Sequence, residues 1–134
     1  MAYMNWTDKL SVGIEEIDSQ HKKLIQMINE FYDGVISDDK IAMGRLLTSL
    51  IDYTISHFAT EEKYMKLFNY PGAATHIEEH RSFTDKVSDI KKRFGSGELV
   101  LSLEITNFVK VWIIKHVLGI DKMYSQCFIS NGLK

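Results

Sequence analysis

The chain has five histidines, His21, His57, His76, His80 and His116, and two carboxylates spaced to join them, Glu61 and Asp121. His57 and Glu61 lie four residues apart, as do His76 and His80. A four-residue step on a helix turns about 40° past one revolution, so each pair would point two donors at one centre. Imidazole with carboxylate is metal-binding chemistry, suited to iron and also to manganese, copper or zinc. Cys127 is the only cysteine. Thiolate zinc and iron–sulfur sites are thereby excluded, and Cys127 reads as a small buried or half-buried hydrophobe in preference to a redox sensor, since no basic cluster or second cysteine marks it as reactive.

The elements that must position these groups are helices. Pro71 is the only proline and the glycines fall mainly between periodic segments. Leu24, Ile25, Ile28, Phe31, Tyr32 and Val35 recur at helical steps, with Asp18 or Ser19 as cap, Ser37-Asp38-Asp39 as stop, and His21 one turn ahead on the same stripe. A second stripe, from about Ile41 to Phe68, carries Met43, Leu46, Leu47, Leu50, Ile51, Thr54, His57, Glu61 and Met65, and ends at Asn69-Tyr70-Pro71-Gly72. On the third, His76, His80, Phe83, Val87, Ile90 and Phe94 face one way and Glu78, Glu79, Arg81, Asp85 and Lys92 the other, before Gly95-Ser96-Gly97. The fourth carries Leu101, Ile105, Phe108, Val109, Trp112, Ile113, His116 and Val117. The chain is expected to be all-α, an up-down-up-down four-helix bundle. The single domain would span residues 1–134: an irregular N-terminal arm over 1–17, the bundle and its site over 18–124, and a tail over 125–134 that carries no interpretable motif. Met27, Met43, Met65 and Met123 read as core or boundary filler.

Every histidine thus falls on an inward stripe. Asp121 does not fit so simply, because five residues after His116 a regular helix would turn it about 140° away. A π-type turn permitted by Gly119, or a bend at Val117-Leu118-Gly119, would bring it back. A lone histidine on an apolar stripe is more often a hydrogen-bonded core residue than a ligand. Seven such groups together are different. Left unsatisfied they would cost roughly 1–3 kcal/mol each, a sum comparable with the roughly 5–15 kcal/mol that stabilises a domain. A metal centre satisfies all seven; the competing account is a closed network of His and carboxylate pairs.

Five imidazoles and two carboxylates exceed one tetrahedral site, which implies two ions. If both carboxylates bridge along with one solvent-derived oxygen, two octahedral ions have about twelve positions and one stays open. Ferritin-like di-iron sites use Glu-x-x-His motifs, absent here. Fewer anionic ligands favour binding dioxygen over splitting it.

On these motifs the sequence resembles the hemerythrins, most closely the single-domain bacteriohemerythrin type. The resemblance runs from Asn5-Trp6 through Val12-Gly13 and the His21 segment, then His57-Phe58-Ala59-Thr60-Glu61, His76-Ile77-Glu78-Glu79-His80 and His116-Val117-Leu118-Gly119-Ile120-Asp121, to Tyr124. It implies two iron ions with a bridging oxo or hydroxo group. His76, His80 and His116 would hold one and His21 and His57 the other, with Glu61 and Asp121 bridging. Dioxygen would bind reversibly at the two-histidine iron, in a pocket lined by Trp112, Ile113 and Val117. Tyr124 reads either as a hydrogen-bonding group near the site or as an aromatic closing the bundle end.

The expected function is a non-enzymatic dioxygen carrier, store or local supplier, with an oxygen-consuming enzyme or reductase as candidate partner. The alternatives are a di-iron oxidase, peroxidase or nitric oxide reductase, or an oxygen or redox sensor. An enzyme needs a proton donor beside the vacancy, and no titratable residue outside the ligand set stands out on the inner faces. A net charge of −2 with no basic block excludes nucleic acid as an expected partner. The start, Met1-Ala2-Tyr3-Met4-Asn5-Trp6, has no leader pattern, and the most apolar stretch, Phe108 to Ile120, is broken by Lys110 and Lys115. The expectation is a cytoplasmic protein without membrane insertion.

Overall fold

The structure, a computed structural model, describes residues 3–98 and 101–134. Four long helices form the bundle: α1 (Glu15–Ile36), α2 (Lys40–Leu67), α3 (Ala73–Gly95) and α4 (Leu103–Lys115). α4 passes through a π segment (His116–Asp121) into α5 (Lys122–Ser130). Short connections at 37–39 and 68–72 lay α1 against α2 and α2 against α3, and α4 packs back against α1. No strand occurs among the described residues, and no helix there is long and apolar enough to cross a membrane. Met1 and Ala2, at the start of the stretch read for a leader, lie outside the described residues.

The stops act through backbone geometry. After α2, Asn69 takes a left-handed φ of 50°, which lets Tyr70 N–H donate to Met65 O at 2.9 Å and satisfy a carbonyl at the helix end. Gly97 does the same after α3 with φ 82°, and Glu98 N–H donates to Arg93 O at 2.9 Å. Asp39 caps α2, accepting from Ala42 N–H at 3.1 Å.

The start of α1 corrects the sequence reading. The helix begins at Glu15 rather than after Asp18 or Ser19, and Asp18 lies in its first turn. Its carboxylate instead accepts Val12 N–H at 2.8 Å and the Ser11 hydroxyl, anchoring the arm to the helix. The arm is irregular except for a 3₁₀ turn at Asp8–Leu10, and it is tied down at its other end by Asn29. Met4 N–H donates to Asn29 Oδ1 at 2.7 Å, and Asn29 Nδ2 donates to Met4 O at 2.8 Å.

Two apolar clusters flank the inward histidines. The larger follows the expected stripes, from Leu24, Ile28 and Phe31 through Leu47, Ile51, Phe83 and Val87 to Val109, Ile113 and Val117. The smaller joins Val12, Ile14 and Ile17 to Met65, Tyr124 and Phe128. Residues 125–134 are therefore not a mere tail: α5 carries Phe128 into full burial and packs on α2. Met123 is a further correction, since at 65% exposure it is neither core nor boundary filler. The pitch of α5 turns it outward while Tyr124 and Phe128 turn in.

Candidate metal centre

All seven groups singled out in the sequence meet in one buried volume between the two clusters. His21 comes from α1, His57 and Glu61 from α2, His76 and His80 from α3, and His116 and Asp121 from the two ends of the π segment. The π turn is the local solution for Asp121. One extra residue per turn closes the 140° error, and both His116 and Asp121 point inward. Gly119 is not what permits it: its φ is not left-handed, and a Cβ there would meet nothing within 4 Å.

The donor atoms form two groups that share both carboxylates: Glu61, His76, His80, His116 and Asp121 in one, and His21, His57, Glu61 and Asp121 in the other. Asp121 spans them with its two oxygens. Its Oδ1 lies 3.0 Å from His76 Nε2 and 2.9 Å from His116 Nε2, while Oδ2 lies 3.0 Å from His21 Nε2. Glu61 Oε1 lies 3.4 Å from His57 Nε2 and 3.2 Å from His80 Nε2. The Nε2 atom of His116 is 3.1 Å from that of His76 and 3.0 Å from that of His80. Neutral imidazoles converging on one point with lone pairs repel one another unless a cation or proton lies between them. His21 Nε2, Glu61 Oε1 and both Asp121 oxygens are buried with no hydrogen-bond partner. Such atoms are costly, and this donor set fits a pair of metal ions.

Charge in the metal-free site follows the same geometry. Burial pulls His21 down, but the carboxylates of Asp121 and Glu61 outweigh it and push it up to about 9. Burial carries His57 the other way, to about 4, despite Glu61. Burial also pushes Asp121 up, and the imidazoles of His116, His21 and His76 overcome it, holding the carboxyl well below its usual range.

Behind the donors runs a pattern the sequence reading missed. Gln20 Oε1 on α1 accepts from His57 Nδ1 on α2 at 2.7 Å. Glu62 Oε2 on α2 accepts from His80 Nδ1 on α3 at 2.8 Å. Glu79 Oε1 on α3 faces His116 Nδ1 at 3.5 Å. Each supporting residue is the sequence neighbour of an inward group, Gln20 of His21, Glu62 of Glu61 and Glu79 of His80, displaced about 100° around its helix. That offset reaches the back of the imidazole on the next helix, so adjacency to a ligand was the available signal. It also corrects the placement of Glu79 on an outer face.

Tyr124, read as either a hydrogen-bonding group near the site or an aromatic closing the bundle end, fills both roles. Fully buried, it donates its hydroxyl to Glu61 Oε2 and lies over His76 with ring centroids 5.5 Å apart. A titratable group outside the ligand set therefore does stand on an inner face. Burial, then the charges of Glu61 and Asp121, push its phenol well above the ordinary value.

The expected pocket residues divide. Ile113 and Val117 are buried in the main core. Trp112 is half-buried and stacks on His116, centroids 4.5 Å apart and planes 12° apart, with Phe83 on its other side at 4.0 Å. It braces His116 of the three-histidine group. Cys127 is half-buried, its thiol 3.9 Å from Phe68 O.

Comparison with known proteins agrees with this arrangement. The family profile described as the Hemerythrin HHE cation binding domain matches residues 12–127. A bacteriohemerythrin of Stenotrophomonas maltophilia is 36% identical over 94% of this chain and 82% of its own length. One of Methylococcus capsulatus is 33% identical over 95% of this chain and 98% of its own. The solved structure of a wild-type hemerythrin superposes with a TM-score of 0.93 at 32% identity, covering 95% of this chain and 98% of that one. With the family profile spanning its bundle and the paired donor groups at its centre, the chain belongs to the hemerythrin family.

Proposed function

We propose that this chain binds dioxygen reversibly at a pair of non-haem iron ions and serves as a carrier, store or local supplier. The observation that carries the reading is the pair of donor groups that share Glu61 and Asp121 and leave inward atoms without partners. His76, His80 and His116 would hold one iron and His21 and His57 the other, with both carboxylates and an oxo or hydroxo group between them. When bound, the iron pair supplies the electrons and the open position that a dioxygen ligand needs. The protein's part is orientation and exclusion of water.

Orientation comes from Gln20 and Glu62, which take the Nδ1 protons of His57 and His80 and so fix the tautomer that points Nε2 inward. Trp112 holds the plane of His116, and Tyr124 holds Glu61. Exclusion comes from Ile113 and Val117, which present apolar surface one turn before and directly after His116. A dry wall keeps out the water and anions that would displace a bound ligand. A candidate partner is an oxygen-consuming enzyme or reductase, and the compartment fitting this chain is the cytoplasm.

Tyr124 bears on the enzymatic alternative, an oxidase, peroxidase or nitric oxide reductase. Its buried hydroxyl is the proton nearest the carboxylates, but with its hydrogen bond committed to Glu61 it is a reluctant donor. That favours holding dioxygen over reducing it. Stopped-flow mixing of the reduced protein with dioxygen, followed by removal of the gas, tests the choice. Return of the reduced spectrum without net consumption is expected. Stoichiometric consumption overturns the carrier reading, and iron-replete protein with one metal per chain, or two zincs and no iron, overturns the site.

A further inference from the structure

The two donor groups are supported unequally. Of the three histidines in the larger group, two have carboxylates behind them: Glu62 accepts from His80 Nδ1 at 2.8 Å and Glu79 faces His116 Nδ1 at 3.5 Å. In the smaller group His57 has only the neutral amide of Gln20 at 2.7 Å, and His21 Nδ1 is buried with no partner, as is His76 Nδ1 in the larger. Glu62 and Glu79 are themselves only partly buried, with side chains 32% and 37% exposed, so each keeps its charge in water while touching a buried ring. Among the aromatic neighbours the imbalance repeats. Phe58 stacks on His80 at 3.7 Å and Trp112 on His116 at 4.5 Å, whereas the rings reaching the smaller group meet it edge-on or tilted.

A carboxylate accepting the Nδ1 proton of a ligating histidine makes the opposite nitrogen more basic, fixes the ring, and places negative charge close to the cation. An amide fixes the ring without adding charge. We propose that Glu62 and Glu79 are positioning residues that make the three-histidine subsite the tight one, so that the two ions are held in a set order and the ion at His21 and His57 is the exchangeable one. The inference rests on the two-metal reading of the site. Supporting partners of this kind change affinity roughly 10- to 100-fold each. Two charged supports on one side against one neutral support on the other set the subsites roughly 10- to 100-fold apart, beyond the difference made by the extra histidine.

The consequence for dioxygen is direct. The ion with the open position is also the one least tightly held, so the carrier fails first at that subsite, and the firmly held neighbour keeps the bundle folded meanwhile.

The test uses Co²⁺-loaded full-length protein, whose paramagnetic ion shifts the ring N–H resonances of its own histidine ligands. Full loading gives five such resonances. A chelator then withdraws the metal stepwise, with cobalt measured at each point. The expected result is loss of the two resonances from His21 and His57 first, with three remaining at one ion per chain. In the double variant Glu62→Gln/Glu79→Gln, which keeps hydrogen-bond acceptors and removes charge, the interval between the two sets should narrow to what the extra histidine alone provides. Gln20→Glu, which adds a charge behind His57, should narrow the gap without removing any native support. Five resonances that fade together in the wild-type chain overturn the inference, as does a wild-type interval between the two sets that both variants leave unchanged. Loading that never exceeds one cobalt per chain overturns the two-metal reading itself, an outcome distinct from a wrong order.

Discussion

Stripping the metal should leave a chain that holds together by taking protons in its place, and the dependence on pH exposes the exchange. Four inward atoms, His21 Nε2, Glu61 Oε1 and the two oxygens of Asp121, have no hydrogen-bond partner within the protein. At about 1–3 kcal/mol for each buried unsatisfied group, their exposure as orphans costs roughly 4–12 kcal/mol, against the roughly 5–15 kcal/mol that stabilises a domain. Protonated His21 returns part of this. Its folded pKa of about 9 lies above the ordinary 6.5, which corresponds to about 3 kcal/mol at most. Because the folded value is raised, that contribution is fully present below pH 6.5 and is lost as pH rises through 9. His57 has the opposite sign: held neutral at about 4, it contributes above pH 6.5 and the contribution is lost as pH falls through 4. Metal-free protein should therefore be most stable near pH 6.5 and weaken toward pH 9. The loaded protein should not, since metal and proton compete and deprotonation favours the metal. Urea unfolding of both forms at pH 6.5 and 9 measures the gap, which is expected to widen with pH. His21→Gln should reduce the alkaline slope of the metal-free form and leave the share of His116, which Asp121 also raises against the pull of burial. Equal stability of the two forms at pH 6.5 would show that the histidines and carboxylates satisfy one another unaided. A gap that shrinks toward pH 9 would refute the proton-for-metal exchange.

Four substitutions probe the supports of the site. Tyr124→Phe keeps the ring stacked on Phe128 and removes the donor to Glu61, so metal-free protein should lose about 2 kcal/mol and loaded protein less, by urea unfolding. Phe128→Ala empties a fully buried position between Tyr124, Phe68 and Tyr70 and should cost about 3–5 kcal/mol, a melting-temperature loss that a dispensable tail would not show. Gly119→Ala should leave metal content unchanged and stabilise the chain by up to about 1 kcal/mol, because a Cβ there meets open space. Ile113→Ser should speed the decay of the oxygenated absorption; unchanged decay in a folded variant with two irons would remove Ile113 from the pocket wall.

What was legible in the sequence was whatever repeats at the pitch of a regular helix. The stripes from Leu24 to Phe31, from Met43 to Met65 and from His76 to Ile90 are buried as read, because core burial and ligand placement follow one period and reinforce each other. Errors gather where that period breaks or where a group acts across helices. Asp18 has the residue type of a cap, yet its carboxylate is drawn to Val12 and Ser11, since the arm supplies donors that no local rule foresees. Gly119 attracted attention as a backbone breaker, but the π turn stands on the burial of His116 and Asp121 at its two ends, a demand set by the centre and not by the glycine. Gln20, Glu62 and Glu79 were hidden because each lies off its own helix's inward stripe. Their roles emerge only when the next helix is in place. The same reasoning separates the two halves of the site: periodicity alone brings the seven donors inward, while the unequal support behind them depends on which neighbour each flanking residue meets. A family match through the donors alone therefore leaves the relative strength of the two subsites undetermined, and in this chain it is Glu62 and Glu79 that would set it.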